Sequence, residues 1–290
     1  MAPASLKALS QKSDRAGAVQ TGLHLGAITM GAAAVLIAPT WWLTLLGMLA
    51  LGVLLVALFA PLHETAHRTV FAAHWANTAL AQLAGFILLI PPVWFRHYHM
   101  AHHRHTQDPD HDPELARPKP TSLARYAWHL TGVPTWISLI RALVLLAAGR
   151  TQAMAYVPGH ARADVVANAR WHIAGYGAVV AVSVWLQSPV ALLIWIGPLV
   201  LAQPLLRAYL LAEHTGCAIV PDVTRNTRTT LASRLLCWLA WNMPYHAEHH
   251  LYPSVPFHRL PDLHTQIAPA LGHVTDGYGA AHREIRGGFA

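Results

Sequence analysis

Six apolar stretches, separated by short polar or proline-rich breaks, set the frame of this chain. The first two run from about Thr21 to Ala38 and from Leu43 to about Pro61, and Pro39, Thr40 and the Trp41-Trp42 pair lie between them. Each is close to the roughly 20 residues needed to cross a bilayer core, and tryptophans favour the membrane interface. Residues 76–94 form a third stretch ending in Pro91-Pro92, which breaks a helix. Residues 128–148 are apolar but interrupted by Gly132-Val133-Pro134 and Arg141, which suits a helix lying along the membrane surface. His172–Gln187 and Pro189–Leu211 read as a pair joined by the uncharged turn Gln187-Ser188-Pro189. The pattern predicts an all-α integral membrane protein with about four transmembrane helices in two hairpins. Re-entrant and interfacial helices and a cytoplasmic histidine-rich cap complete it.

Composition supports a membrane setting. Charged residues make up 11% of the 290 residues and hydrophobic residues 54%, against about 25% charged in a soluble domain. The length holds one membrane domain and no second large one. The expected layout is a cytoplasmic tail over 1–20, a membrane domain over 21–270 and a C-terminal tail over 271–290. Lys7, Lys12 and Arg15 precede the first apolar run, as in a cytoplasmic tail followed by a signal-anchor helix. The net charge of +7 fits a cytoplasmic membrane face. The basic residues are scattered and no nucleic-acid motif occurs, so no nucleic-acid partner is expected. Cys217 and Cys237 form neither a C-x-x-C pair nor a disulfide framework.

Against this oily background stand 21 histidines. Three clusters carry the chemistry: His63-Glu64-Thr65-Ala66-His67, His99-Met100-Ala101-His102-His103 and His246-Ala247-Glu248-His249-His250. Residues three and four apart share a helical face, so each cluster presents its imidazoles one way. Neutral imidazole is the commonest metal ligand, and three such faces together make a pocket able to hold more than one ion. Other histidines lack this spacing. His97 and His105 flank the second cluster at offsets that point off its ligand face, and His24 sits alone in the first span, where a hydrogen bond to a neighbouring helix accounts for it.

An HxxxH box after an apolar helix, then HxxHH, then HxxHH near the C-terminus, resembles the membrane fatty acid desaturase superfamily. Phe95-Arg96-His97-Tyr98-His99, His105-Thr106-Gln107-Asp108-Pro109, Asn226-Thr227-Arg228-Thr229 and Asn242-Met243-Pro244-Tyr245 strengthen the match, which covers roughly residues 40–265. The resemblance implies a non-haem di-iron site using O2 as co-substrate. It also implies a further histidine between the last span and the third box, for which His214 is the candidate. The implied metal ligands are His63, His67, His99, His102, His103, His214, His246, His249 and His250. Metal-bound histidines usually give their other N–H to a carboxylate or carbonyl. Glu64, Glu213, Glu248, Asp108 and Asn242 are the candidate outer partners, with Asp110, Asp112 and Glu114 in the same acidic run as Asp108. Surface charge for that run, and helix capping for Asn242, remain the alternatives.

The leading functional expectation is a fatty acyl desaturase. A lipid or carotenoid hydroxylase or ketolase on the same scaffold is the rival, because substrate pose decides the product. A non-enzymatic metal-binding membrane protein comes third, and would place ligands along a transmembrane path. The resemblance further implies a lipidic substrate and a separate electron donor, a ferredoxin or cytochrome with its reductase. Arg225, Arg228 and Arg234 are either a solvated face or part of a docking surface for it. The expected location is an integral membrane position, the inner membrane in a bacterium, with the site facing the cytoplasm.

Overall fold

Helices dominate the computed structural model, which describes residues 2–152 and 154–289. In chain order they are α1 (Pro3–Leu9), α2 (Asp14–Ile37), α3 (Trp41–Ala57), α4 (Phe59–His67), α5 (His74–Leu88) and α6 (Pro92–His105). Then come α7 (Leu123–Leu130), α8 (Val133–Ala147), α9 (Arg162–Trp185) and α10 (Gly197–His214), the last preceded by a π-turn over Leu192–Ile196. A cap of short elements follows: α11 (Val223–Asn226), β1 (Thr229–Leu231), α12 (Arg234–Leu239), α13 (His246–Leu251), α14 (Leu260–Ile267), β2 (Val274–Asp276) and α15 (Gly277–Gly287). β1 and β2 pair in parallel, Thr229 opposite Val274.

Three stretches among the described residues are long and apolar enough to cross a membrane: Asp14–Ile37, the rod Trp41–His67 built from α3 and α4, and Leu192–His214. The number rises to five if each of two bent pairs forms one span, α5 with α6 and α7 with α8. Large side chains such as Met30, Ile37, Trp41, Leu46 and Val200 are exposed on these helices. A belt of that kind is stable against lipid rather than water.

Local chemistry sets the breaks. Ser13 caps α2 by accepting from the Ala16 N–H at 3.2 Å. α5 and α6 meet at 96°. Leu89 there takes a left-handed conformation, the Ile90 N–H closes back on the Gly85 carbonyl at 2.8 Å, and Pro92 starts the next helix. That is a helix C-terminal turn followed by a residue with no N–H to give. Gly132, with φ +74°, makes the 53° bend between α7 and α8.

α3 lies at the centre, against α2 and α10. Gly52 permits the close approach: a Cβ there would sit 2.2 Å from the Pro198 carbonyl oxygen. The expected hairpin of α9 with the last apolar helix is not formed as a packed pair, since α9 lies chiefly on α8 and α6. The end of α5 wedges the two apart. Phe86 stacks on Trp195, the Tyr176 hydroxyl donates to the Phe86 carbonyl, and the Trp195 indole donates to Ile87. The fork borders an open apolar cleft of about 610 Å³ lined by Leu143, Tyr176, Val180, Leu192 and Trp195. It sits at the opposite end of the last apolar helix from His214. α9 matches α2 in length, but its first turns carry Arg162, Asp164 and Arg170, and it is not among the three candidate spans.

Both ends of the chain are folded where tails are expected. Leu9 of α1 is buried in a second core with Trp241, Met243, Phe257, Leu260 and Leu263. At the other end, β2 and α15 pack on β1 and α10. His24 is buried between the Leu54 carbonyl (2.9 Å) and the Trp241 indole N–H (3.1 Å), so a structural hydrogen bond does account for it.

Candidate metal centre

The bends in the helical frame bring the histidine-bearing segments together. α4 ends the long rod, α6 leaves the 96° turn beside it, α10 ends at His214, and α13 brings His249 to His63, His250 to His103 and His246 to His214. The nine sequence-nominated histidines form two groups. His63, His67, His99, His103 and His249 make one; His102, His214, His246 and His250 make the other, and within each group the ligand atoms lie within 4.8 Å of one another. Each HxxHH box is therefore shared between groups: adjacent residues His102 and His103, and His249 and His250, face different centres.

In the first group the Nε2 atoms of His63 and His249 are 2.7 Å apart, as are those of His67 and His99, and His103 lies 3.2 Å from His249. In the second, His214 Nε2 lies 3.2 Å from His102 Nε2 and 3.1 Å from His246 Nε2. The rings of His103 and His250 stack at 3.9 Å and link the groups. Converging ring nitrogens repel as lone pairs or as charges unless a cation lies between them. Burial, with the neighbouring His102 charge, holds the His249 imidazole down to about 3. Burial and neighbouring histidines hold His246 and His250 well below their ordinary value. They are neutral at physiological pH, the form that binds metal.

The second group is backed ring by ring. His102 Nδ1 donates to Asp112 at 3.0 Å. His214 Nδ1 donates to the Asn226 carbonyl at 3.2 Å, and His250 Nδ1 to the Thr106 hydroxyl at 3.2 Å. His246 Nδ1 lies 3.6 Å from Glu213, and neither atom has another partner. Protons held at Nδ1 of His102, His214 and His250 leave their Nε2 atoms free to face the centre, and buried Nε2 of His250 has no other partner. In the first group His249 Nδ1 is buried without a partner.

Several expected outer partners lie elsewhere. Asp112, not Asp108, reaches His102, and backbone N–H groups of Gln107 and Glu114 fix its carboxylate, each at 2.9 Å. Asp108 sits in the outer part of the same turn and pairs with His111. Glu64 accepts from the Phe257 N–H at 2.8 Å, and Glu248 from the Thr229 hydroxyl at 2.5 Å and from His264. Both glutamates lie off the ligand face of their own helix, as the 3.6-residue period requires, and tether the boxes outward. Asn242 takes a left-handed turn and donates to the Phe257 carbonyl at 3.1 Å, away from the rings.

Sequence reasoning assigned no role to Thr106, Gln107 or Asn226, though each lies in a motif quoted for the resemblance. Gln107 donates to the His214 carbonyl at 2.7 Å, and Asn226 to the Thr106 carbonyl at 3.2 Å. Arg228 is also reassigned. It is buried and donates to the carbonyls of Ala212 and Thr215 (2.8 Å for the latter), which bracket His214, so it offers nothing to a docking partner. A cation there satisfies carbonyls left open at the end of α10.

Residues 39–281 match the family described as fatty acid desaturase. The chain is also similar to dihydrorhizobitoxine desaturase of Bradyrhizobium elkanii, 25% identical over 237 residues. The alignment covers 75% of this chain and 66% of that relative, so this chain spans just under two thirds of the relative's length. The matched region takes in all nine clustered histidines and the elements that carry them, and on that match the chain belongs to the fatty acid desaturase family.

Proposed function

We propose that this chain is an O2-dependent di-iron membrane oxidase that introduces a C=C bond into a lipidic acyl chain. The observation that carries the reading is the division of nine histidines into two groups, one with a hydrogen-bond partner behind three of its four rings. That donor set fits two metal ions: nine imidazoles whose ring nitrogens converge in two groups, with His250 Nε2 buried and unpartnered. Imidazole suits iron, zinc, copper and nickel alike, and family membership favours iron. His63, His67, His99, His103 and His249 would hold one iron, and His102, His214, His246 and His250 the other. Two bound irons would supply the redox capacity to activate O2 and remove hydrogen from an unactivated C–H bond.

The protein's own part is holding and shielding. Asp112, the Asn226 carbonyl and Thr106 fix ring orientation and tautomer in the second group. Phe95 stacks on His99 at 5.5 Å and meets Phe59 edge-on, a dry wall beside the first group. Excluding water strengthens the electrostatics of the site and protects reactive species from side reactions.

In this reading about four spans place both termini, every histidine box and the cap on the cytoplasmic side, in the inner membrane of a bacterium. Electrons come from a separate acidic carrier, a ferredoxin or cytochrome with its reductase, and exposed Arg225 and Arg234 remain available to it. Gathering of the ligands at helix ends, rather than along a transmembrane path, weighs against a metal-transport role.

Lipid analysis of cells expressing the chain tests the activity. New unsaturated acyl chains, absent with His249→Ala, are the expected result. Hydroxylated or ketolated products would move the function to the rival chemistry on the same site. No lipid change with a competent donor present would refute the oxidase reading.

A further inference from the structure

A third cluster of metal-ligating side chains stands outside the nine histidines. His105 is the last residue of α6, and the chain reverses just after it: Gln107 is left-handed (φ +64°), and the Asp108 N–H returns to the His105 carbonyl at 2.8 Å. Asp108 is thereby brought over His105, with Oδ2 3.9 Å from His105 Nδ1. His111 meets the same carboxylate oxygen with Nδ1 at 2.8 Å, and its ring lies 5.2 Å from that of His105. The other oxygen of Asp108 accepts the Asp110 N–H at 3.0 Å, which fixes the carboxylate. The ligand atoms of His105, Asp108 and His111 all lie within 4.8 Å of one another.

We propose that His105, Asp108 and His111 form a separate, exchangeable site for a divalent transition-metal ion. Two imidazoles and a carboxylate on one face of an ion are a donor set that Fe²⁺, Co²⁺, Ni²⁺ and Zn²⁺ all accept, with open positions left for water. The three side chains span only seven residues, so closing the loop around an ion orders little extra chain. They are partly exposed, His111 at 64%, so binding does not require opening the protein. The location gives the site a purpose. The same turn carries Asp112, which orients His102 in the buried centre. An ion at the outer site clamps residues 105–111 and steadies Asp112 behind its histidine.

The test uses full-length, tag-free protein in detergent, reconstituted with iron and washed with a mild chelator, then titrated with Co²⁺ and followed by the visible d–d absorption of bound cobalt. Wild type is expected to take up one further Co²⁺ per chain that the same chelator removes, with the iron content unchanged. The Asp108→Asn/His111→Gln variant is expected to bind that ion at least about tenfold more weakly, with unchanged iron content and far-UV circular dichroism. Equal Co²⁺ uptake by wild type and variant, or no uptake by wild type, would overturn the proposal. The comparison is a difference between two proteins, so it stands whether or not the buried histidines hold iron.

Discussion

His102 and Asp112 form, among the described residues, the one carboxylate–histidine pair within hydrogen-bonding distance behind the nine clustered rings, Nδ1 to Oδ1 at 3.0 Å, both residues buried. Their partnership crosses the end of α6, joining a helix-borne histidine to the turn that follows. It decides which nitrogen of His102 faces the centre, and so whether the second group can close around an ion. Asp112→Asn keeps the shape and removes the charge. It should lower metal affinity or turnover about 10- to 100-fold, read as metal content after dialysis against a chelator and as product formed per chain. Wild-type values in both would show that the pair does not orient the ring.

Arg228 holds the end of α10 through the carbonyls of Ala212 and Thr215, and also meets Glu284 of α15 at 3.3 Å. Arg228→Ala leaves buried carbonyls without donors and should destabilise by about 1–3 kcal/mol. Glu284 is half-exposed, and Glu284→Gln should change stability by less than about 1 kcal/mol. Thermal unfolding of the detergent-solubilised protein checks the order. A larger loss in Glu284→Gln would contradict the capping role given to Arg228.

Close approach of α3 and α10 depends on Gly52, where a Cβ would meet backbone oxygen at 2.2 Å. Gly52→Ala should destabilise by about 1–3 kcal/mol through overpacking. Gly177, inside α9, has nothing within 4 Å of a built Cβ, and Gly177→Ala should be neutral or stabilise by up to about 1 kcal/mol. The same unfolding measurement separates them, and equal effects would remove Gly52 from the packing account.

Membrane sidedness is tested by reporters fused at residues 40 and 188. Both should report the side opposite the histidine cap. A cytoplasmic signal at either point would overturn the four-span arrangement.

The boxes were legible because helical periodicity is a short-range rule: His63 and His67, or His246, His249 and His250, share a face whatever surrounds them. His214 could be nominated only through the family resemblance, because a single histidine carries no period. What stayed illegible depends on tertiary placement. The sharing of adjacent histidines between two groups follows from where α13 sets its rings against those of α4, α6 and α10, which no local pattern encodes. Asp112 and Asp108 look equivalent in an acidic run, and only the left-handed turn at Gln107 decides which one faces His102. The in-box glutamates look like natural outer partners, yet the helical period turns them away. The splaying of α9 from α10 arises from Phe86 and the Ile87 carbonyl at the end of α5, distant in sequence. The terminal segments look like tails by polarity, while Leu9 and Ile285 bury single apolar side chains that window averages miss.

The most direct test of the central claim is the iron content of the purified, tag-free protein after reconstitution with Fe²⁺ and a chelator wash. Two histidine groups predict about two slowly exchanging irons per chain. One iron, zinc in preference to iron, or no retained metal would contradict the di-iron centre proposed here.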